Sequence, residues 1–305
     1  MTLEEWLADG RRVDVGGHKI FVRTGGAGPW LTLLHGFPTS SWDWAALVPQ
    51  LQKTHRVLAF DWLGFGDSDK PNAPYTIFQQ ADLLEALWKM NGVTQTAILA
   101  HDYGDTVLEE MLARGMAGIG EALPPIPRDG VGAANCLPRG TQVITRATIL
   151  NGSVYGALNR PLFIQQALQW PVLGALLTRF VSEREFGRNF RRIFGPSHPI
   201  SDDDLHSHWL AITRHGGNRI YHRLVHHYGD QRRHGERWER ALETTGVPLR
   251  FVWGMADPVS GAPIATRLRE RIANVDLVAL DGVGHYPHLE VPDVVVRETL
   301  REPAT

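Results

Sequence analysis

The feature that most constrains this chain is an alternation. Short β-branched and aliphatic runs at 18–23, 31–34, 56–60, 96–100, 147–150, 249–253 and 276–280, with 12–15 as a possible edge, are separated by longer segments of helical period. Several of these runs are apolar throughout, which suits strands covered on both faces, as in a parallel sheet. The helical segments fit between them. Residues 78–90 place Ala81, Leu84, Leu87 and Trp88 on one stripe and stop at Asn91-Gly92, a helix-ending pair. Residues 106–114 predict a second helix. The expected fold is therefore α/β: a mostly parallel, eight-stranded sheet with helices on both faces.

Two stretches break the alternation. Residues 115–140 are rich in Gly and Pro and read as a loop insertion. Residues 154–242 hold no strand-like run yet lie between two strands, the pattern of an inserted helical cap. The expected division is a first core part at 1–153, the cap at 154–242 and a second core part at 243–305. A chain of 305 residues suits one core plus such a lid.

Composition excludes some partners. With 43% hydrophobic residues and a net charge of -2 the chain can bury a sizeable core but offers no basic surface, so nucleic acid is not an expected partner. Cys136 is the only cysteine, which excludes an internal disulfide and fits a reducing, cytoplasmic location. Residues 1–10 have neither a basic start nor an apolar run, so no signal peptide is expected. The apolar stretch 161–180 is interrupted by Gln165, Gln166, Gln169, Pro171 and Gly174, so no integral membrane segment is expected. An amphipathic lid over an apolar cavity accounts for that composition.

The chemistry concentrates at strand ends. The run 96–100 passes into His101-Asp102-Tyr103-Gly104, and a helix follows at once. This reads as a sharp turn with a nucleophile-type side chain at its apex, flanked by the small residues Ala100 and Gly104. The following helix N-terminus would stabilise an anion there. A helix-capping aspartate would look the same in isolation. Its surroundings shift the balance: 31–34 leads into His35-Gly36-Phe37-Pro38, 249–253 into Gly254-Met255-Ala256-Asp257, and 276–280 into Gly282-Val283-Gly284-His285. Three reactive groups thus stand at the carboxyl ends of three strands, where open α/β sheets bind ligands.

These residues carry a resemblance over nearly the whole chain. Through HGFP at 35–38, DWLGFGDSDKP at 61–71, HDYGD at 101–105, WGMADP at 253–258 and GVGHYPHLE at 282–290, the sequence resembles the α/β-hydrolase superfamily. Within it, the likeness is to the epoxide hydrolase and haloalkane dehalogenase branch, and most of all to the epoxide-hydrolase-like mesoderm-specific transcript family. The resemblance implies that Asp102 is the nucleophile, His285 the base that activates water, and Asp257 the acid that orients it. Backbone N–H groups of Phe37 and Tyr103 would hold the oxyanion. An aspartate suits substrates with a leaving group on saturated carbon, because it leaves an ester that water can open, whereas a serine would leave an ether.

Epoxides and alkyl halides both qualify. An epoxide oxygen needs an acid, and epoxide hydrolases use cap tyrosines, for which Tyr221 and Tyr155 are the candidates here. Tyr221 and Tyr228, seven residues apart, are expected to share a helix face. Haloalkane dehalogenases typically carry Trp after the nucleophile, where this chain has Tyr103. The leading expectation is an epoxide hydrolase acting on a small apolar substrate, with a haloalkane dehalogenase as alternative and a non-catalytic binding module as the reading from another class. No cofactor is expected. His222 and His226 have a zinc-type spacing, but Arg223 stands where a metalloprotease has Glu, so no metal is expected. Asp105 is expected to complement the helix dipole.

Overall fold

A computed structural model describes residues 1–116, 137–138, 140–160, 163–179 and 181–302. The expected runs form one sheet of β1 (Arg11–Val15), β2 (His18–Gly25), β3 (Trp30–Leu34), β4 (Arg56–Phe60), β5 (Thr96–Ala100), β6 (Ile144–Ile149), β7 (Leu249–Gly254) and β8 (Asp276–Leu280). The strand order is β1-β2-β4-β3-β5-β6-β7-β8. β2 pairs antiparallel with β1 and with β4, and the remaining pairings are parallel.

Strand parity sorts the core into two layers. Leu31 and Leu33 of β3, Val57 and Ala59 of β4, and Ala97 and Leu99 of β5 face one side. There they meet α1 (Leu3–Ala8), α2 (Val48–Leu51) and Val295 and Val296 from the C-terminal region. The alternate residues Leu34, Leu58, Phe60, Ile98 and Ala100 face the other side. They pack with α3 (Ile77–Asn91) and α4 (Tyr103–Met116). Each fully buried aliphatic side chain is worth about 1.5–3 kcal/mol, so a one-residue slip of a central strand would exchange both layers at once.

α3 ends as expected, with Gly92 in the left-handed region at φ 67°. α4 starts three residues earlier than the sequence suggested, directly after Asp102, and runs through Met116. Most of the expected 115–140 insertion lies outside the described residues. Between β6 and β7 the described residues form helices without strands: α5 (Phe163–Leu168), α6 (Pro171–Leu177), α7 (Glu183–Arg191), α8 (Asp202–Thr213), α9 (Tyr221–Leu224) and α10 (His227–Thr244), with short 3₁₀ segments. Tyr221 and Tyr228 do not share one helix. Three-residue hydrogen bonds, from His226 N–H to Arg223 O and from Tyr228 N–H to Val225 O, break the α ladder between them. The chain closes with α11 (Ala262–Arg271), α12 (Pro287–Glu290) and α13 (Pro292–Leu300). Among the described residues, no helix is long and apolar enough to cross a membrane.

Candidate active site

The apex after β5 is a strained turn. Asp102 has φ 51°, a left-handed conformation that costs a non-glycine residue of order 1–3 kcal/mol. Hydrogen bonds hold it there: Asp102 N–H donates to Asn151 O at 3.2 Å, and Gly104 N–H donates to His101 O at 2.9 Å. Gly104 is required by close packing, since a Cβ at that position would lie 2.3 Å from the Leu34 carbonyl oxygen. The turn presents the Asp102 carboxylate to the Phe37 N–H, which donates to Oδ2 at 2.9 Å. Tyr103 opens α4, so its N–H has no intrahelical acceptor and belongs to the anion-stabilising end of that helix.

His285 follows β8 and meets the same carboxylate from the other side. Its Nδ1–H donates to Asp257 Oδ2 at 2.8 Å, while Nε2 lies 3.8 Å from Asp102 Oδ1. Asp257, after β7, also accepts from Ser260 Oγ at 2.6 Å, Val259 N–H at 2.7 Å and Asn151 Nδ2 at 2.9 Å. Burial alone would lower the His285 pKa, but the Asp257 carboxylate, through charge and hydrogen bond, and the charge of Asp102 raise it to about 9. Burial pushes Asp257 up, and its imidazole, hydroxyl and backbone donors more than offset this, leaving it below the usual carboxylate value. The resting site therefore stores an imidazolium between two carboxylates.

A cavity of about 350 Å³ opens beside these groups, lined by His285, Phe37, Tyr221 and apolar side chains that include Leu168, Phe186 and Val259. Tyr221 is 6% exposed, and its hydroxyl has no hydrogen-bond partner among the described residues. Burial alone holds its pKa well above that of an ordinary tyrosine, so the hydroxyl keeps its proton. Tyr155 is placed differently: its hydroxyl donates to Glu243 Oε1 at 3.2 Å, and it is not part of the cavity wall. The structure thus brings Asp102, His285, Asp257, Phe37, Tyr103 and Tyr221 together and leaves Tyr155 aside.

Two residues at the site escaped the sequence reading. Asn151, just past β6, donates to Gly254 O at 2.9 Å and accepts from Gly254 N–H at 2.6 Å while holding Asp257. Its signal was an amide at the end of a buried strand. His227 is a buried imidazole packed 5.0 Å from the Tyr103 ring and donating Nδ1–H to Leu224 O at 2.9 Å. It lay hidden in a histidine-rich helical stretch. Asp105 stands in the first turn of α4, fully buried, with no hydrogen-bond partner for its carboxylate oxygens among the described residues, and burial followed by the Asp102 charge raises its pKa well above normal. His226 is exposed, and among the described residues neither it nor His222 joins a metal-type cluster.

The sequence of the alpha/beta hydrolase family matches residues 33–298. This chain belongs to that family. It is 37% identical over 303 residues, 98% of this chain and 97% of the relative, to LipZ of Mycobacterium tuberculosis, a hydrolase by name only. It is 33% identical over 302 residues, 95% of this chain and 84% of the relative, to the human mesoderm-specific transcript homolog protein, which bears out the resemblance stated above. Haloalkane dehalogenase DbeA from Bradyrhizobium elkani USDA94 has a similar fold, with a TM-score of 0.75 at 18% identity over 95% of each chain. So does the epoxide hydrolase CorEH, with a TM-score of 0.69 at 19% identity over 95% of this chain and 96% of that one. The α/β-hydrolase fold that the motif resemblance implied is thus shown, and the protein is a hydrolase of that fold.

Proposed function

We propose that this hydrolase opens epoxides to vicinal diols through an ester on Asp102. The observation that carries the choice is the Tyr221 hydroxyl, buried and unpartnered in the wall shared with His285 and Phe37. In the first step Asp102 Oδ1, free of a hydrogen bond to His285 at 3.8 Å, attacks an epoxide carbon. The C–O bond breaks, and the oxygen takes the Tyr221 proton. Tyr221 raises the rate by an order of 10²–10⁴ in comparable acid catalysis.

Ester formation removes the Asp102 charge, one of the interactions that raise the His285 pKa. His285 then gives up its proton more readily; that proton passes by way of solvent to the Tyr221 phenolate, which restores the acid and leaves His285 as the base the second step needs. Water attacks Asp102 Cγ while Nε2 takes its proton. The new oxyanion forms where the Phe37 N–H already holds Oδ2 at 2.9 Å. Collapse returns the proton to the departing diol oxygen, and Asp102 keeps the oxygen of the water.

The haloalkane dehalogenase alternative requires N–H donors for a departing halide. No tryptophan lines the cavity among the described residues, and the side-chain N–H donors in its wall are the Asn189 amide, one of whose hydrogens goes to Glu185 O at 3.0 Å, and the exposed guanidiniums of Arg188 and Arg192. The discriminating experiment measures turnover of a styrene-type epoxide and of bromoalkanes by the wild-type protein and by Tyr221→Phe. The proposal expects epoxide opening that drops 10²–10⁴-fold in the variant, with little bromide release. Fast bromide release, together with near-normal epoxide opening by Tyr221→Phe, would assign the site to dehalogenation.

A further inference from the structure

Behind His285 lies a second group of titratable side chains that the reaction does not use. Asp43, His101, His208 of α8 and His288 of α12 are each no more than 1% exposed. Asp43 Oδ1 lies 3.5 Å from His208 Nδ1, and Oδ2 lies 3.8 Å from His288 Nε2. One donor atom from each of Asp43, His101 and His288 lies within 4.8 Å of the other two. Asp43 Oδ1, His101 Nδ1, His208 Nδ1 and both ring nitrogens of His288 lack hydrogen-bond partners among the described residues. A buried polar atom left unpaired is destabilising, so a cluster of them calls for a shared partner.

The orientation of the rings suits a cation. His101 Nε2 lies 2.8 Å from the His285 carbonyl oxygen and must donate to it, which leaves the Nδ1 lone pair free. A ring N–H on a backbone carbonyl with the other nitrogen free is how metal-binding imidazoles are oriented. Room beside that nitrogen depends on Gly36, where a Cβ would lie 2.6 Å from Nδ1. His35 is not available, since Nδ1–H donates to Gly36 O and Nε2 accepts from Trp62 N–H.

Access exists apart from the substrate cavity. A separate cleft of about 480 Å³, lined by Trp42, Phe194, His198 and Glu290, reaches Asp43 and His208. We propose that Asp43, His101 and His288, with His208 as a fourth donor, bind a divalent ion of the zinc class. Imidazole nitrogens with one carboxylate are donors such ions favour. A tetrahedral site with bonds of about 2.0–2.1 Å sets donors roughly 3.4 Å apart. The 3.5 and 3.8 Å pairs approach that spacing, and the donor atoms of Asp43, His101 and His288 lie within 4.8 Å of one another. The ion would join α8 and α12 to the turn after β3 and fix the ring that holds the His285 carbonyl.

The test incubates the full-length protein with zinc chloride, removes free metal by gel filtration and measures retained zinc by elemental analysis. Thermal unfolding before and after chelation is the second readout. The proposal expects one zinc per chain, a lower melting temperature after chelation, and retention cut at least 10-fold in both Asp43→Asn and His288→Gln. Cobalt(II) in place of zinc should give the visible absorption of a tetrahedral N/O site, a readout that does not depend on either variant folding. Failure of the wild-type protein to retain zinc or show the cobalt band would overturn it and assign the space to a buried water. Undiminished zinc retention by Asp43→Asn and His288→Gln would overturn it as well.

Discussion

The carboxyl ends of β5, β7 and β8 and the helices between β6 and β7 build the two halves of one cavity by different means. The strand-end half is covalently close to a sheet buried on both faces, and its side chains are fixed by buried bonds such as Asn151 to Asp257 at 2.9 Å. The helical half is tied on through side chains. Arg214 and His215 reach Asp67 at 2.7 and 2.9 Å, Trp238 donates to Glu110 at 2.9 Å, and Ile77 N–H donates to Asp230 at 3.0 Å. Among the described residues two main-chain links also cross at the cavity, from His285 N–H to Ile193 O at 2.7 Å and from Arg160 N–H to Val259 O at 3.0 Å. The sheet half holds the groups that must not move, and the helical half supplies walls and the Tyr221 hydroxyl. Chemistry is therefore expected to depend steeply on the first half and substrate choice on the second.

The sharpest way to break that contrast is Asp102→Ala, measured by diol formation under saturating substrate. We expect a loss of roughly 10⁴-fold or more, as when a nucleophile is removed from a triad whose members act as a unit. Retention of a substantial rate would move the chemistry out of the strand-end half. Asn151→Ala tests the support of that half. It leaves a buried Gly254 N–H unpaired and loosens Asp257, at about 1–3 kcal/mol, so turnover should fall roughly 10- to 100-fold. A wild-type rate would show that Asp257 is held well enough without the amide. Tyr155→Phe sharpens the other side. Because its hydroxyl serves Glu243, turnover should change less than about 2-fold while the melting temperature falls by the equivalent of about 1 kcal/mol. A large loss of epoxide opening would return Tyr155 to the reaction.

Legibility in the sequence follows the same division. The strands were readable because a buried parallel strand must be apolar, and Asp102, Asp257 and His285 stood out as candidates because each follows a strand-like run. Helix boundaries were less so: α4 begins at Tyr103, where its first turn is polar yet buried. The helical half hid its site residues. Tyr221 and Tyr228 looked continuous in sequence, but the break at Val225 and His226 separates them, and Tyr155 resembled Tyr221 until Glu243 claimed its hydroxyl. Asn151 and the grouping of Asp43, His101, His208 and His288 depend on contacts between distant segments, which no local pattern encodes.

The central claim is that Asp102 itself becomes esterified and is regenerated by water at Cγ. A single turnover in ¹⁸O-water, with enzyme in excess of epoxide, followed by peptide mass analysis, tests it most directly. The account predicts one ¹⁸O in the peptide carrying Asp102 and an unlabelled diol from that first turnover. Label in the diol alone, with none in the Asp102 peptide, would mean that water attacks the substrate directly and would contradict the account.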